Sequence, residues 1–131
     1  MTDRRRAPRG GRRASDREGR HPTLLVADPY DATRRLFVRY LERCNFHVEE
    51  AANRRDAIAN IAGASPAVIV SDLALRLQGD PGIGQIPMIV MAGAIRQLDV
   101  PTSVALAKPF PLSALLEAVR RALRSAADQK N

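Results

Sequence analysis

Short apolar runs alternate with stretches of helical periodicity between residues 23 and 123, and this alternation restricts the fold more than any other feature of the sequence. The run FHVEEA alternates apolar and polar residues, as an edge strand with one wet side does. The other runs are short and apolar almost throughout, which is typical of strands buried on both faces: TLLVAD, AVIVSD, PMIVMAG and SVALAK. Five strands that alternate with helices predict an α/β fold, in which helices cover both faces of a parallel sheet.

The segment after the first apolar run is predicted to be an amphipathic helix with Asp31 as its N-cap. Its apolar positions recur at helical spacing and are predicted to face the sheet: Leu36, Phe37, Tyr40, Leu41 and Cys44. Its basic residues fall elsewhere on the helical wheel: Arg34, Arg35, Arg39 and Arg43. Cys44 is therefore interpreted as a core residue rather than a nucleophile.

Three more helical segments are predicted further along the chain. One begins after its N-cap Asn53 and ends at Gly63, and a short helical piece covers residues 94–99. The last runs from about Leu112 to Ser125, and one apolar stripe defines it: Leu112, Leu115, Leu116, Val119 and Leu123.

Polar residues stand where three of the buried strands end. Asp28 and Asp72 close the first and third apolar runs, and Lys108 closes the fifth. Because ligands of open parallel sheets bind at the carboxyl ends of the strands, these side chains are expected to share one cleft. Two carboxylates supply the hard oxygen ligands that Mg²⁺ prefers, and an ammonium neutralises phosphoryl oxygens. The sequence therefore predicts a site for a divalent cation and a phosphoryl group.

This arrangement resembles the receiver domain of two-component response regulators. The resemblance covers Thr23 to Leu123 and is carried by four stretches: LLVADPYDATRRL, AVIVSDLAL, IPMIVMAG and ALAKPFPLSALLEAV. It implies a flavodoxin-like, doubly wound sheet of five parallel strands in the order 2-1-3-4-5. It also implies a cytoplasmic phosphorelay protein whose partner is a sensor histidine kinase or a phosphotransfer protein. Such a domain is a phosphoacceptor, with at most self-catalysed phosphoryl transfer, rather than an enzyme.

The resemblance assigns a role to each matching position. Asp72 matches the phosphoacceptor, and Lys108 matches the lysine that contacts the phosphoryl group. Asp28, Asp72 and the backbone carbonyl of Ala74 match the Mg²⁺ ligands. The Lys108–Pro109 peptide bond, by the same resemblance, is expected to be cis.

Three features depart from the pattern of the family. Pro29 stands where the second metal-site acid is usual, so the Mg²⁺ site is predicted to be weakened. Ala92 stands where a Ser or Thr normally contacts the phosphoryl group, and the fifth strand lacks the usual aromatic residue. The third helix is expected to be reduced and the fourth shortened. These departures keep open the alternative of a degenerate receiver that binds partners without phosphorylation and in which Lys108 pairs with Asp72.

The chain is predicted to comprise a basic tail (1–22), the receiver domain (23–126) and a short C-terminal tail (127–131). The first tail holds eight arginines and three acids, a charge of +5 out of the net +7 of the chain. It is too poor in large apolar residues to order itself and is predicted to be disordered. It is interpreted as a solubilising segment; the alternative is nucleic-acid contact through phosphates, without stacking because the tail has no aromatic residue.

The remaining features argue for a stand-alone cytoplasmic protein, either a monomer or a weak dimer. The single cysteine allows no internal disulfide, and with only His21 and His47, both expected at the surface, it makes no zinc site of ordinary spacing. No apolar run approaches the roughly 20 residues that a membrane-spanning helix needs. We expect no output domain after the last helix, so the output is expected to be a protein contact.

Overall fold

The structure is a computed structural model and describes residues 22–93 and 103–130. Its strands are β1 (Thr23–Ala27), β2 (His47–Ala51), β3 (Val68–Asp72), β4 (Met88–Ala92) and β5 (Ser103–Ala107). Its helices are α1 (Asp31–Arg43), α2 (Arg54–Ala64) and α3 (Leu112–Lys130). All the strand pairs are parallel, and the order is β2-β1-β3-β4-β5, which confirms the predicted sheet.

Each face of the sheet carries its own apolar core. Leu24 and Val26 of β1 pack on the face covered by α1 and α3, whereas Leu25 and Ala27 pack on the face covered by α2. The alternation arises because successive side chains of a strand point to opposite faces. Every residue of β1, β3 and β4 is buried, as expected for strands covered on both sides.

The segment between β3 and β4 contains no α-helix but two 3₁₀ turns, Leu73–Leu75 and Pro81–Ile83. Arg76 and Gly84 follow these turns with positive φ angles of 52° and 62°, which a continuing helix does not allow. The predicted reduction of the third helix is therefore confirmed. The helical piece predicted at 94–99 lies outside the described residues.

A single arginine ties this segment to the start of α2. Arg54 donates hydrogen bonds to the carbonyl oxygens of Leu75 and Arg76 and forms an ion pair of 2.7 Å with Asp80. The Asp80 carboxylate also accepts a hydrogen bond from the backbone N–H of Gly82. The segment that follows Asp72 is thus held by polar contacts at the carboxyl edge of the sheet.

Helix ends differ from the sequence-based predictions at three places. Tyr30, not Asp31, is the N-cap of α1, because the Tyr30 carbonyl accepts the first helical hydrogen bond. Asn53 caps α2 as predicted, but α2 passes Gly63 and ends at Ser65, whose φ of 47° closes the helix. Helix α3 extends to Lys130, beyond the predicted end at Ser125.

Four side chains also lie differently from the prediction. Leu36 is exposed and Arg34 is buried, which reverses their predicted positions on α1. Cys44 is the C-cap of α1 and is half-buried rather than a core residue. His47 is buried instead of lying at the surface, because it stands at the start of β2 and its Nε2 contacts Glu49 Oε2 at 2.8 Å.

Among the described residues, no helix is long and apolar enough to span a membrane.

Candidate functional site

Three predicted residues meet at the carboxyl edge of the sheet. Asp28 follows β1, Asp72 ends β3, and Lys108 follows β5. The Lys108 Nζ donates to Asp28 Oδ2 at 3.0 Å and to Asp72 Oδ2 at 2.7 Å. Both carboxylates are buried, so their charges are offset by this ammonium rather than by water. The structure therefore brings two acids and one lysine together, although these residues lie at the ends of three different strands, β1, β3 and β5.

The second oxygen of each carboxylate is fixed by the backbone of its own turn. Asp28 Oδ1 accepts the N–H of Tyr30, and Asp72 Oδ1 accepts the N–H of Ala74, each at 2.8 Å. All four carboxylate oxygens thus have a donor. Since the backbone holds Oδ1 in both residues, the two Oδ2 atoms are the ones directed at the Lys108 ammonium.

The charge of Lys108 depends on these carboxylates. Burial alone would lower the pKa of the Lys108 ammonium, but the hydrogen bonds and charges of Asp72 and Asp28 outweigh it and raise this pKa above the ordinary value of 10.5. The exposed ring of Tyr30 adds a weaker contact, with its centroid 5.3 Å from Nζ. Lys108 is therefore protonated throughout the neutral range.

A raised lysine pKa gives a pH dependence of fixed sign. The stability that charged Lys108 contributes is fully present below pH 10.5 and is lost as the pH rises through its higher folded-state pKa. We expect the difference in free energy of unfolding between the native chain and Lys108→Met to narrow above pH 10.5, as measured by urea unfolding at several pH values. A difference that stays constant up to about pH 12 would contradict the raised pKa.

Arg34 is a fourth charged residue that contacts the site, and it was not predicted from the sequence. Its guanidinium is buried and donates to the Asp28 carbonyl oxygen at 2.8 Å, to Glu50 Oε1 at 2.8 Å and to Asp31 Oδ1 at 2.7 Å. Burial, which would lower the pKa of Arg34, is outweighed by its hydrogen bonds to Glu50 and Asp31, so this pKa is raised. Arg34 therefore joins the loop after β1 to the end of β2 and fixes the backbone of Asp28.

The sequence signal for Arg34 was its spacing. Residues 34, 37, 38 and 41 are the buried positions of α1, a pattern of three- and four-residue steps that places the arginine on the inward stripe. A helical wheel on which only apolar residues are marked does not reveal that Arg34 faces inward. The three acceptors of Arg34 are distributed over a loop, a helix start and a second strand, so no local motif marks them.

The positions that depart from the family pattern lie beside this site. The carbonyl of Ala92 accepts the N–H of Lys108 at 2.8 Å, which joins the end of β4 to the end of β5. Pro29 separates Asp28 from Tyr30 and supplies neither a carboxylate nor an N–H. The Lys108–Pro109 peptide bond is cis, as the resemblance predicted.

The oxygen donors present have the chemistry that Mg²⁺ requires, in small number. Asp28 and Asp72 are two hard carboxylates close to one point, and Mg²⁺ is often bound by one or two carboxylates together with substrate phosphates. No group of three His, Cys, Asp or Glu side chains that could hold a metal occurs among the described residues. The residues fit a magnesium ion that is shared with a phosphoryl group better than one bound by protein side chains alone.

Comparisons with solved structures give the same fold. The chemotaxis response regulator CheY4 of Vibrio cholerae superimposes with a TM-score of 0.69 at 22% sequence identity, over 79% of this chain and 99% of that one. A receiver-modulated diguanylate cyclase from Pelobacter carbinolicus gives 0.72 at 23% identity, over 83% of this chain and 97% of that one. A response regulator receiver protein from Sinorhizobium medicae gives 0.69 at 24% identity, over 79% and 95%.

No protein-family model matches the sequence, and no curated protein matches it. Likeness is therefore carried by the structure, with TM-scores of 0.69 to 0.72 against these solved receivers. The chain has the fold of response-regulator receiver domains.

Proposed function

We propose that this protein is a phosphorelay receiver, in which Asp72 accepts a phosphoryl group from a phosphohistidine of a sensor histidine kinase or a phosphotransfer protein. The observation that supports this proposal is the contact of one ammonium, Lys108 Nζ, with Oδ2 of both Asp28 and Asp72 at the carboxyl edge of a receiver fold. The cytoplasm is the compartment that such a partner and a single free cysteine favour.

In the proposed transfer, Asp72 Oδ2 is the attacking atom, since Oδ1 is held by the N–H of Ala74. A new O–P bond forms while the P–N bond of the phosphohistidine breaks, and the electron pair of that bond stays with the imidazole nitrogen. Lys108 then pairs with a phosphoryl oxygen and gives up its bond to Asp72. Little covalent chemistry is asked of the protein, because positioning and charge stabilisation dominate phosphoryl transfer.

Magnesium, when bound, would supply positive charge to the phosphoryl oxygens. Asp28, Asp72 and the carbonyl of Ala74 are the groups that would hold it. Since Pro29 contributes no carboxylate and Lys108 already faces both acids, the protein is expected to need a high concentration of Mg²⁺.

The proposal is tested by incubating the full chain with a small phosphodonor and Mg²⁺ and measuring its intact mass. The native chain is expected to gain one phosphoryl group, whereas the isosteric variant Asp72→Asn is expected to gain none. Arg76→Gln, which removes an exposed charge four residues away, is the matched control and is expected to behave as the native chain does. A native chain without any Asp72-dependent gain would overturn the proposal.

A second candidate function is supported by the contacts that the acids of the site already make within the protein. All four oxygens of Asp28 and Asp72 already accept hydrogen bonds, and Ala92 lacks the hydroxyl that would contact a phosphoryl group. Under this alternative the domain binds its partner without phosphorylation. The contacts of Lys108 with Asp28 and Asp72, which we call the ion cluster, then only stabilise the fold. An unchanged mass after phosphodonor treatment, in a chain that stays folded, favours this second function.

A further inference from the structure

Arginines gather on the helical face at the end of the sheet away from the acidic site. Five exposed arginines lie in the middle and later turns of two helices: Arg39 and Arg43 on α1, and Arg120, Arg121 and Arg124 on α3. We call this group the basic face. The acids on or near the same stretches are Glu42, Glu117 and Asp128, and Glu117 forms an exposed ion pair with Arg121. The basic face thus carries more positive than negative charge.

Both helices place these residues toward the amino edge of the sheet. α1 and α3 share the apolar core on one face of the sheet, so their outer surfaces lie on the same side. Arg43 ends α1, and the next strand begins at His47, whose N–H bonds the carbonyl of Pro22 beside the start of β1. Arg120 and Arg124 are about 12 and 18 Å along α3, whereas the five-residue strand β5 spans about 17 Å.

The spacing of these arginines places like charges close together on each helix. Arg39 and Arg43, and likewise Arg120 and Arg124, stand four residues apart on one helix face. Like charges at this spacing destabilise a helix by about 0.2–0.5 kcal/mol per pair. An anionic partner would reduce this repulsion.

The described chain begins at Pro22, at this same amino edge, and residues 1–21 are attached there. Their sequence adds eight arginines against three acids. The basic face lies toward the amino edge of the sheet, while the proposed phosphoacceptor site lies at the carboxyl edge. A ligand at the basic face would leave the carboxyl edge accessible.

We propose that the basic face binds the phosphate backbone of double-stranded nucleic acid without reading its sequence. Of the 21 basic residues in the chain, 19 are arginine, whose planar fork matches phosphate oxygens in a bidentate manner. The two arginines of each pair lie about 6 Å apart along their helix, so they can reach separate phosphates. Contacts of this kind fix position without specifying bases.

Other anionic partners lack support on this face. Single strands need aromatic platforms, and among the large apolar residues exposed at the described positions the one aromatic residue is Tyr30, which lies beside Lys108 at the opposite edge of the sheet. An interfacial surface inserts a set of apolar side chains into a membrane beside its basic ones, whereas the described part of the basic face has a single exposed leucine beside it, Leu36, one turn before Arg39 on α1. The backbone of a duplex needs neither.

The test measures binding of the full chain to a labelled DNA duplex of about 20 base pairs by fluorescence anisotropy between about 50 and 200 mM salt. The variant Arg43→Gln, Arg120→Gln, Arg124→Gln is compared with Arg35→Gln, Arg55→Gln, Arg76→Gln, which removes three exposed arginines outside the face. The first variant is expected to bind about tenfold or more weakly at the lowest salt, with a salt slope reduced by about 3. The second is expected to stay within about twofold of the native chain.

Three results would overturn the proposal. The first is that the native chain does not bind the duplex at the lowest salt. The second is that both variants lose equal affinity for the duplex. The third is that the native chain binds phosphatidylserine vesicles or polyglutamate as tightly as the duplex. Circular dichroism of both variants excludes unfolding as the cause of a loss. The experiment contains no phosphodonor, so its outcome is independent of the phosphorelay proposal.

Discussion

Replacing Lys108 by methionine is expected to lower the free energy of unfolding by about 3–5 kcal/mol at neutral pH, the cost of removing one partner from a buried ion pair. Methionine keeps most of the volume of the side chain but leaves Asp28 and Asp72 without the ammonium between them. Asp28 is fully buried, and the side chain of Asp72 is only 10% exposed, so water cannot replace the lost charge. Urea unfolding followed by circular dichroism measures the loss.

Two companion measurements separate this explanation from a packing defect. The double variant Lys108→Met, Asp72→Asn removes one of the facing charges and is expected to regain part of the stability. Added Mg²⁺ is expected to stabilise Lys108→Met more than the native chain, because the oxygens of both acids then lack a cation. A single variant within about 1 kcal/mol of the native chain would show that the ion cluster contributes little.

Replacing Arg34 by methionine is expected to cost about 2–3 kcal/mol, the loss of a charged hydrogen bond at a buried acceptor. The variant leaves the carbonyl of Asp28 without its donor, whereas the exposed carboxylates of Asp31 and Glu50 can turn to water. Because that carbonyl belongs to the residue that contacts Lys108, the change is also expected to loosen the candidate site.

The matched control for this prediction is Arg35→Met, one residue further along α1. Arg35 is exposed, and a surface substitution of this kind usually changes stability by less than about 0.5 kcal/mol. Arg34→Lys is informative as well, since one ammonium cannot serve three acceptors spread around a planar fork. Equal unfolding free energies for Arg34→Met and Arg35→Met would mean that the buried guanidinium contributes no net stability.

The fold could be predicted because its strands are unambiguous. Runs such as AVIVSD are too short for helices and too apolar for loops, and parallel strands bring their carboxyl ends to one edge. The meeting of Asp28, Asp72 and Lys108 follows from that topology alone, before any side-chain detail. The chemical roles of the three residues stay predictions.

The features that the sequence did not reveal depend on tertiary partners. Arg34 is buried because Asp31, Glu50 and the Asp28 carbonyl surround it, and these groups come from three separate elements. Leu36 was expected inside because apolar residues usually are, although the arginine took the inward position instead. The helix starts show the same difference: the side chain of Asn53 caps α2 as predicted, whereas α1 begins after Tyr30, whose backbone carbonyl accepts the first helical hydrogen bond.

The ion cluster also connects β5 to strands with which it shares no ladder. Among the described strands β5 pairs with β4 alone, yet the side chain of Lys108, which follows β5, reaches the ends of β1 and β3. Lys108 therefore links the edge of the sheet to its central strands. Loss of the Asp72 charge is expected to remove one of the two bonds that link Lys108 to the centre of the sheet and to leave the bond to Asp28 in place.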